Sequence, residues 1–200
     1  MFWALRPRAV ALTLCPGGDS MGQFPMPLYP RDFIETTFLG QYKKIIYTDK
    51  YYYIGFALVC IGIEFVGKCL DTTEQDWQKS GHSQEHFNDA IEHTMPRYKP
   101  HSKLLFAELR CGFAHGLLPG PQLGLTHRDE SVKYGTTHLS EHHGAVTVVI
   151  ENFYDDFETA CRDVLHRQFP QNDKMNNPLL YIPGDSVAGS GMFNAKTSTY

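Results

Sequence analysis

Arg110 and His115 lie in the run Arg110-Cys111-Gly112-Phe113-Ala114-His115, near the end of an otherwise apolar helical stretch. A guanidinium is a fixed fork of donors that stays charged at any physiological pH, and an imidazole gives or takes a proton near neutrality. These are the two groups that cleavage of an RNA phosphodiester without a metal ion most needs. On an ideal helix, five steps of about 100° leave the two side chains about 140° apart, so they do not face one phosphate. Two arrangements overcome this. Either the helix is distorted near Gly112 or Gly116, both weak helix formers, or two chains bring the pair together across a twofold axis, which makes dimerisation a condition of function. The alternative without chemistry pairs Arg110 with Glu64 and lets His115 simply end the helix, because ion-pair networks mimic active sites.

The elements that must position these residues follow from apolar spacing. Phe33, Ile34, Phe38 and Tyr42 predict an amphipathic helix over Arg31 to Ile46, after which Asp49 can cap a second. From Tyr51 to Leu70 the chain is apolar on every side of a helix, which means burial in protein or in lipid. Glu64 near the middle of that stretch is costly in hydrocarbon, so the stretch is read as the central helix of a bundle and no membrane association is expected. Ser83-Gln84-Glu85-His86 has the form of a cap opening a third helix that must stop before Pro96. Ser102 can cap a fourth, running from Lys103 to about Leu118 with Leu105, Leu109, Phe113 and Leu117 at four-residue intervals. Gln122 to Thr126, Val132 to His138 and Ala145 to Ile150 are short and β-branched or alternating, which predicts a small antiparallel β insertion at about 122–150. A last helix spans Glu151 to Gln168, with Phe153, Phe157, Cys161 and Val164 or Leu165 facing the core.

Outside these elements, residues 1–30 are read as a disordered extension that ends in a Gly- and Pro-rich linker, and residues 170–200 as a loosely ordered tail. Met1 to Cys15 has the charged-then-apolar order of a signal peptide but lacks a small-x-small cleavage site, and Met21-Gly22 is an alternative start. The helical domain is placed at residues 31–169. A composition of 42% hydrophobic and 20% charged residues, with 13 Phe and 11 Tyr, excludes disorder throughout. The net charge of −4 excludes a protein that holds nucleic acid by bulk electrostatics, so any RNA contact must be local. Five cysteines without a CxxC pair suggest neither a disulfide framework nor a thiolate zinc site, and fit small core residues in a reducing, cytoplasmic compartment.

The motif Arg110-x4-His115, the preceding Leu105-Phe106-Ala107-Glu108-Leu109 and the following Gly116-Leu117-Leu118-Pro119 resemble the HEPN superfamily, whose signature is an arginine, four to six residues and a histidine. The order of parts is also similar: an apolar helix bearing Glu64, a middle helix, the motif helix and a final helix, over about residues 31–169. The resemblance implies a mainly α, HEPN-like bundle of four or five helices, a homodimer with the motif at its interface, and no cofactor. Active members are metal-independent endoribonucleases, often toxins or defence effectors, which implies RNA as substrate and an antitoxin-like protein as partner. Other members are non-catalytic modules that bind RNA, nucleotide or protein. Active members commonly carry a polar residue directly after the arginine, whereas this chain has Cys111, whose thiol is a weak hydrogen-bond partner.

In an active site of this kind, His115 would take the ribose 2′-hydroxyl proton or protonate the leaving 5′-oxygen. Arg110 would stabilise the phosphorane, and the product would carry a 2′,3′-cyclic phosphate. Glu64 would hold the guanidinium. A second constellation, His138-Leu139-Ser140-Glu141-His142, matches the HxxEH pattern of a class of zinc peptidases. That chemistry needs a helix, so that His138 and His142 share a face. The chain is therefore expected to be a metal-independent endoribonuclease, a non-catalytic HEPN-type binding module, or a zinc hydrolase using His138 and His142.

Overall fold

The computed structural model describes residues 28–77 and 80–179. The chain is mainly helical, with one small sheet. Helix α1 covers residues 30–48: it is α-wound over Pro30–Phe33 and then widens to π-winding over Ile34–Tyr42 and Lys44–Thr48. Helix α2 is Tyr52–Leu70 and α3 is Ser83–Thr94. After a 3-10 segment, Pro96–His101, helix α4 spans residues 102–116, α-wound at Ser102–Leu104, π-wound at Leu105–Arg110 and α-wound again at Cys111–Gly116. Strand β1 (Leu123–Thr126), the short helix α5 (Arg128–Tyr134), and strands β2 (Glu141–His142) and β3 (Ala145–Val149) follow, and α6 (Ile150–His166) closes the core.

Helix α2 is the central element. It is long and apolar enough to cross a membrane by length and composition, and half of it is buried inside the protein. Its glycines admit neighbours at close range. A Cβ on Gly62 would meet the Phe157 ring of α6 at 2.4 Å, and one on Gly67 would lie 1.6 Å from the carbonyl oxygen of His86 in α3. Around this axis Phe38, Phe56, Ile63, Phe87, Leu109, Phe153 and Phe157 form one core. In α1 the buried Ile34, Phe38 and Tyr42 keep the spacing expected of them. There the Tyr154 hydroxyl donates to the Phe38 carbonyl at 2.9 Å, a side chain competing for ladder carbonyls within the π-wound stretch.

The local signals at the helix starts act differently from the expectation. Lys50 takes a left-handed conformation (φ 56°), so Asp49 stays in the preceding turn and Tyr51 is the residue that flanks α2. Ser83 and Ser102 are first helical residues rather than caps. Ser102 Oγ instead donates to Asn88 Oδ1 at 2.6 Å, tying α4 to α3.

The insertion is a mixed sheet of order β1-β3-β2, not an antiparallel one. β1 runs parallel to β3, Leu123 opposite Val146, and only β2 is antiparallel to it. The cause is α5, which occupies part of the expected strand Val132 to His138 and carries the chain back so that β3 starts beside the start of β1. Asp129 and Glu130 lie in the first turn of α5, where carboxylates favour a helix, and left-handed Gly135 ends it.

Both chain boundaries differ from the expectation. Leu28 and Pro30 are buried, and the Leu179 amide donates to the Leu28 carbonyl at 2.8 Å. In the expected tail, Lys174 and Met175 are buried within a 3-10 turn, Lys174–Asn176. Lys174 Nζ donates to the Glu74 carbonyl at 2.8 Å, and Trp77 Nε1 to the Lys174 carbonyl at 2.9 Å, while Trp77 itself stacks on Phe65 of α2. Arg31 reaches across to the carbonyls of Leu165 and Arg167, completing the C-terminal end of α6. The rest of the expected extension and tail, and the signal-like segment, lie outside the described residues. Met175→Ala is expected to cost about 2–5 kcal/mol in urea denaturation, the range for truncating a buried methionine. A loss near zero would mean that this segment is not docked.

Candidate functional site

Arg110 is the last residue of the π-wound stretch of α4 and sits in the seam between α2, α3 and α4. Its Nε and Nη2 both donate to Glu64 Oε2, at 2.7 and 2.6 Å, and Nη2 lies 3.5 Å from Ser83 Oγ. The guanidinium carbon is 5.7 Å from the centroid of the Phe106 ring, one turn earlier. The side chains of the pair are 21% and 22% exposed, so it is neither sealed in the core nor fully solvated. Glu64 does reach Arg110, and the carboxylate that argued against lipid is the one that holds the motif arginine. Cys60, on the same face of α2 one turn before Glu64, is buried; burial pushes its thiol well above the ordinary range, and the nearby guanidinium pulls the other way. Cys111 is half-buried.

His115 is exposed in the last turn of α4. Because winding is α-helical from Cys111 through Gly116, the offset of about 140° between Arg110 and His115 stands. The helix is distorted, but before Arg110 and not between the two residues. Gly112 has a different role: a Cβ there would lie 2.4 Å from the Leu118 carbonyl oxygen, because the chain folds back after left-handed Leu117 (φ 54°). This early turn ends the helix before Leu118 and leaves Leu117, expected in the core, 73% exposed. Leu118 is 68% exposed beside it. The Tyr53 hydroxyl of α2 donates to the Leu117 carbonyl, and the Tyr53 ring packs edge-on to Phe113 at 5.0 Å. His115 therefore lies beside the exposed Leu117 and Leu118, to which Tyr53 of α2 is tied, and Ile54 and Ile61 of α2 are exposed as well.

The HxxEH residues are not on a helix. His138 lies in a turn, while Glu141 and His142 form β2 at the exposed edge of the sheet. His138 faces inward. Its Nδ1 accepts the Val149 amide at 3.0 Å, which leaves the proton on Nε2, 2.8 Å from the Tyr98 hydroxyl oxygen. That hydroxyl donates to Asp156 Oδ2 at 2.7 Å, and Arg97 Nη1 donates to the same oxygen at 3.1 Å. His142 instead packs edge-on against His143. Among the described residues, no group of three His, Cys, Asp or Glu side chains gathers to hold a metal ion.

Sequence reasoning missed this relay of His138, Tyr98, Asp156 and Arg97. Its members are as far as 59 positions apart and share no motif, so no local spacing announces it. Burial, assisted by the nearby Arg97 guanidinium, holds His138 down at about 4, against an ordinary value of 6.5. Burial and the Asp156 carboxylate push the Tyr98 hydroxyl up. Both groups are thus held neutral. The folded-state value of His138 is depressed, so its stabilisation is complete above pH 6.5 and is lost as the pH falls towards 4. Urea midpoints measured across that window should fall less steeply for His138→Gln than for the parent chain. Parallel profiles would mean that His138 is not held neutral by the fold.

No family model, curated protein or solved structure matches this chain.

Proposed function

We propose that the chain is a HEPN-type, metal-independent endoribonuclease that acts as a homodimer, with Arg110 and His115 as its catalytic residues. The observation that carries this reading is a guanidinium fixed by Glu64 together with an exposed imidazole five residues further along the same helix, next to the exposed Leu117 and Leu118. A second copy covering Leu117, Leu118, Tyr53 and Ile61 would hide apolar area that a monomer leaves in water. It would also bring a second His115 towards the first site, which the geometry of a single straight helix end requires.

In that site Glu64 positions the guanidinium, leaving Nη1 to face a phosphate oxygen. Arg110 stabilises the charge that develops on the phosphorane, and His115 moves the proton of the 2′-hydroxyl or of the leaving oxygen. A non-catalytic RNA-, nucleotide- or protein-binding module is favoured by one observation, the half-buried thiol of Cys111 where active enzymes of this type carry a stronger hydrogen-bonding group.

The test is to incubate the purified chain with mixed single-stranded RNAs in excess chelator, beside Arg110→Ala and His115→Ala. Cleavage with cyclic-phosphate ends that either substitution abolishes supports the enzyme. Cleavage that needs metal and survives both substitutions sinks it, and a well-folded dimer that binds RNA without cutting is the binding module.

A further inference from the structure

We propose that the groove between α3 and α4 carries a second phosphate subsite, formed by Lys99 and Lys103, which holds the backbone of a single RNA strand whose scissile phosphate lies at Arg110. This inference rests on the RNA reading above and assigns where the rest of the strand runs.

The two helices lie antiparallel, and their contacts form a ladder. Arg110 meets Ser83 at 3.5 Å, the Phe106 ring packs on Phe87 with centroids 5.6 Å apart, Ser102 Oγ bonds Asn88 Oδ1 at 2.6 Å, and Lys99 pairs with Glu92. At the far end this seam opens into a cleft whose lining includes Asn88, Glu92, Lys99, Ser102 and Lys103. From Ser83 to Asn88 is about 7.5 Å along α3, and from Ser83 to Glu92 about 13.5 Å, a distance that a few nucleotides span. Proteins that bind single strands without sequence preference use this kind of track, cations following the backbone with aromatic rings between them. Here Phe106 lies between the guanidinium at one end and the two ammonium groups at the other.

The charges explain why the cleft suits an anion on a chain of net charge −4. Lys103 is exposed and has no carboxylate partner among the described residues. Lys99 is paired with Glu92, but both side chains are largely exposed, so a phosphate competes for the ammonium at little cost. Ser102 of α4 and Asn88 of α3 supply neutral hydrogen-bonding groups from the two sides of the same cleft. The chain thus meets by a local cluster the requirement that its overall charge imposes.

The test uses an uncleavable probe, a 2′-deoxy oligonucleotide of about eight nucleotides, titrated by fluorescence anisotropy over a range of salt. Lys99→Gln and Lys103→Gln should each weaken binding about three- to tenfold and lower the salt slope by about 0.7. Glu92→Gln, which frees Lys99, should tighten it, a change that a merely structural role would not produce. A dinucleotide, which reaches only Arg110, should be indifferent to all three. Inorganic phosphate should displace the probe only weakly; displacement as effective per phosphate as by unlabelled strand would mark a free-phosphate site and overturn the proposal. Lysine variants with unchanged affinity and slope, or a parent chain that does not bind the strand, also overturn it. Lysine-sensitive binding without RNA cleavage keeps the groove and removes the nuclease. Cleavage combined with lysine-insensitive binding does the reverse.

Discussion

His115→Ala is expected to lower RNA cleavage by about 10³-fold while leaving the urea midpoint unchanged, whereas Arg110→Ala lowers both. General acid–base catalysis by a positioned side chain contributes about 10²–10⁴-fold. A donor aimed at developing charge contributes about 10²–10³-fold. The two substitutions therefore look alike in activity, and stability separates them. His115 is exposed, so its removal should change stability by less than about 0.5 kcal/mol. Removing Arg110 strands the Glu64 carboxylate in the seam between α2 and α4 and takes away two charge-assisted hydrogen bonds, at a cost of about 2 kcal/mol. Glu64→Gln is the intermediate case, because an amide still accepts from the guanidinium but no longer carries charge. Circular dichroism in urea and cleavage assayed well below each midpoint read the two quantities independently. If His115→Ala retains full cleavage while Arg110→Ala loses it only in proportion to its unfolding, the ion pair is structural and the site is not catalytic.

The helices were legible in the sequence because their apolar faces are long and periodic. Ile34, Phe38 and Tyr42 in α1, and Phe153, Phe157, Cys161 and Val164 in α6, are buried as their spacing requires. The four-residue interval of Leu105, Leu109 and Phe113 marks the buried face of α4. The π-winding of Leu105–Arg110 was not legible, because four-residue spacing suits an α-helix as well. The direction of β1 was not legible, because a parallel pair depends on the element between the strands, and Val132 points to strand by propensity while it is exposed on α5. Nor was the docking of Lys174 and Met175. A buried lysine in a polar, Pro- and Asn-rich stretch contradicts composition, and it is tolerated because the Glu74 carbonyl and the Trp77 ring receive the ammonium. In the site, the Glu64–Arg110 pair could be inferred from the cost of an isolated carboxylate in an apolar helix. The relay through His138 could not, since it is assembled entirely by tertiary contact.

Gly67→Ala is expected to cost about 3 kcal/mol or more, despite replacing glycine by the best helix former. Alanine in a helix interior gains about 1 kcal/mol over glycine. Against this, the new Cβ would lie 1.6 Å from the His86 carbonyl oxygen and 2.4 Å from its carbon, both backbone atoms of α3, so no rotamer change relieves the clash. The helices must separate, and α3 cannot shift freely, because His86 Nε2 is held 3.2 Å from Asp71 Oδ2 at the end of α2 and the Phe87 ring is fully buried. Two controls bracket the effect. At Gly62 the new atom meets the Phe157 ring, a side chain that can give way, so Gly62→Ala should cost less. Gly116 has nothing within 4 Å, and Gly116→Ala should be neutral or stabilising by up to about 1 kcal/mol. Urea midpoints of the three variants give the order; equal midpoints for the Gly67 and Gly116 variants would mean that α2 and α3 do not touch there. The effect should also reach the site. α2 carries Glu64 one turn before Gly67, and α3 carries Ser83 one turn before His86, so a forced separation widens the cradle of Arg110 from two sides. Since a displacement of about 1 Å can cost about 10²-fold in rate, Gly67→Ala should impair catalysis even at temperatures where it remains folded.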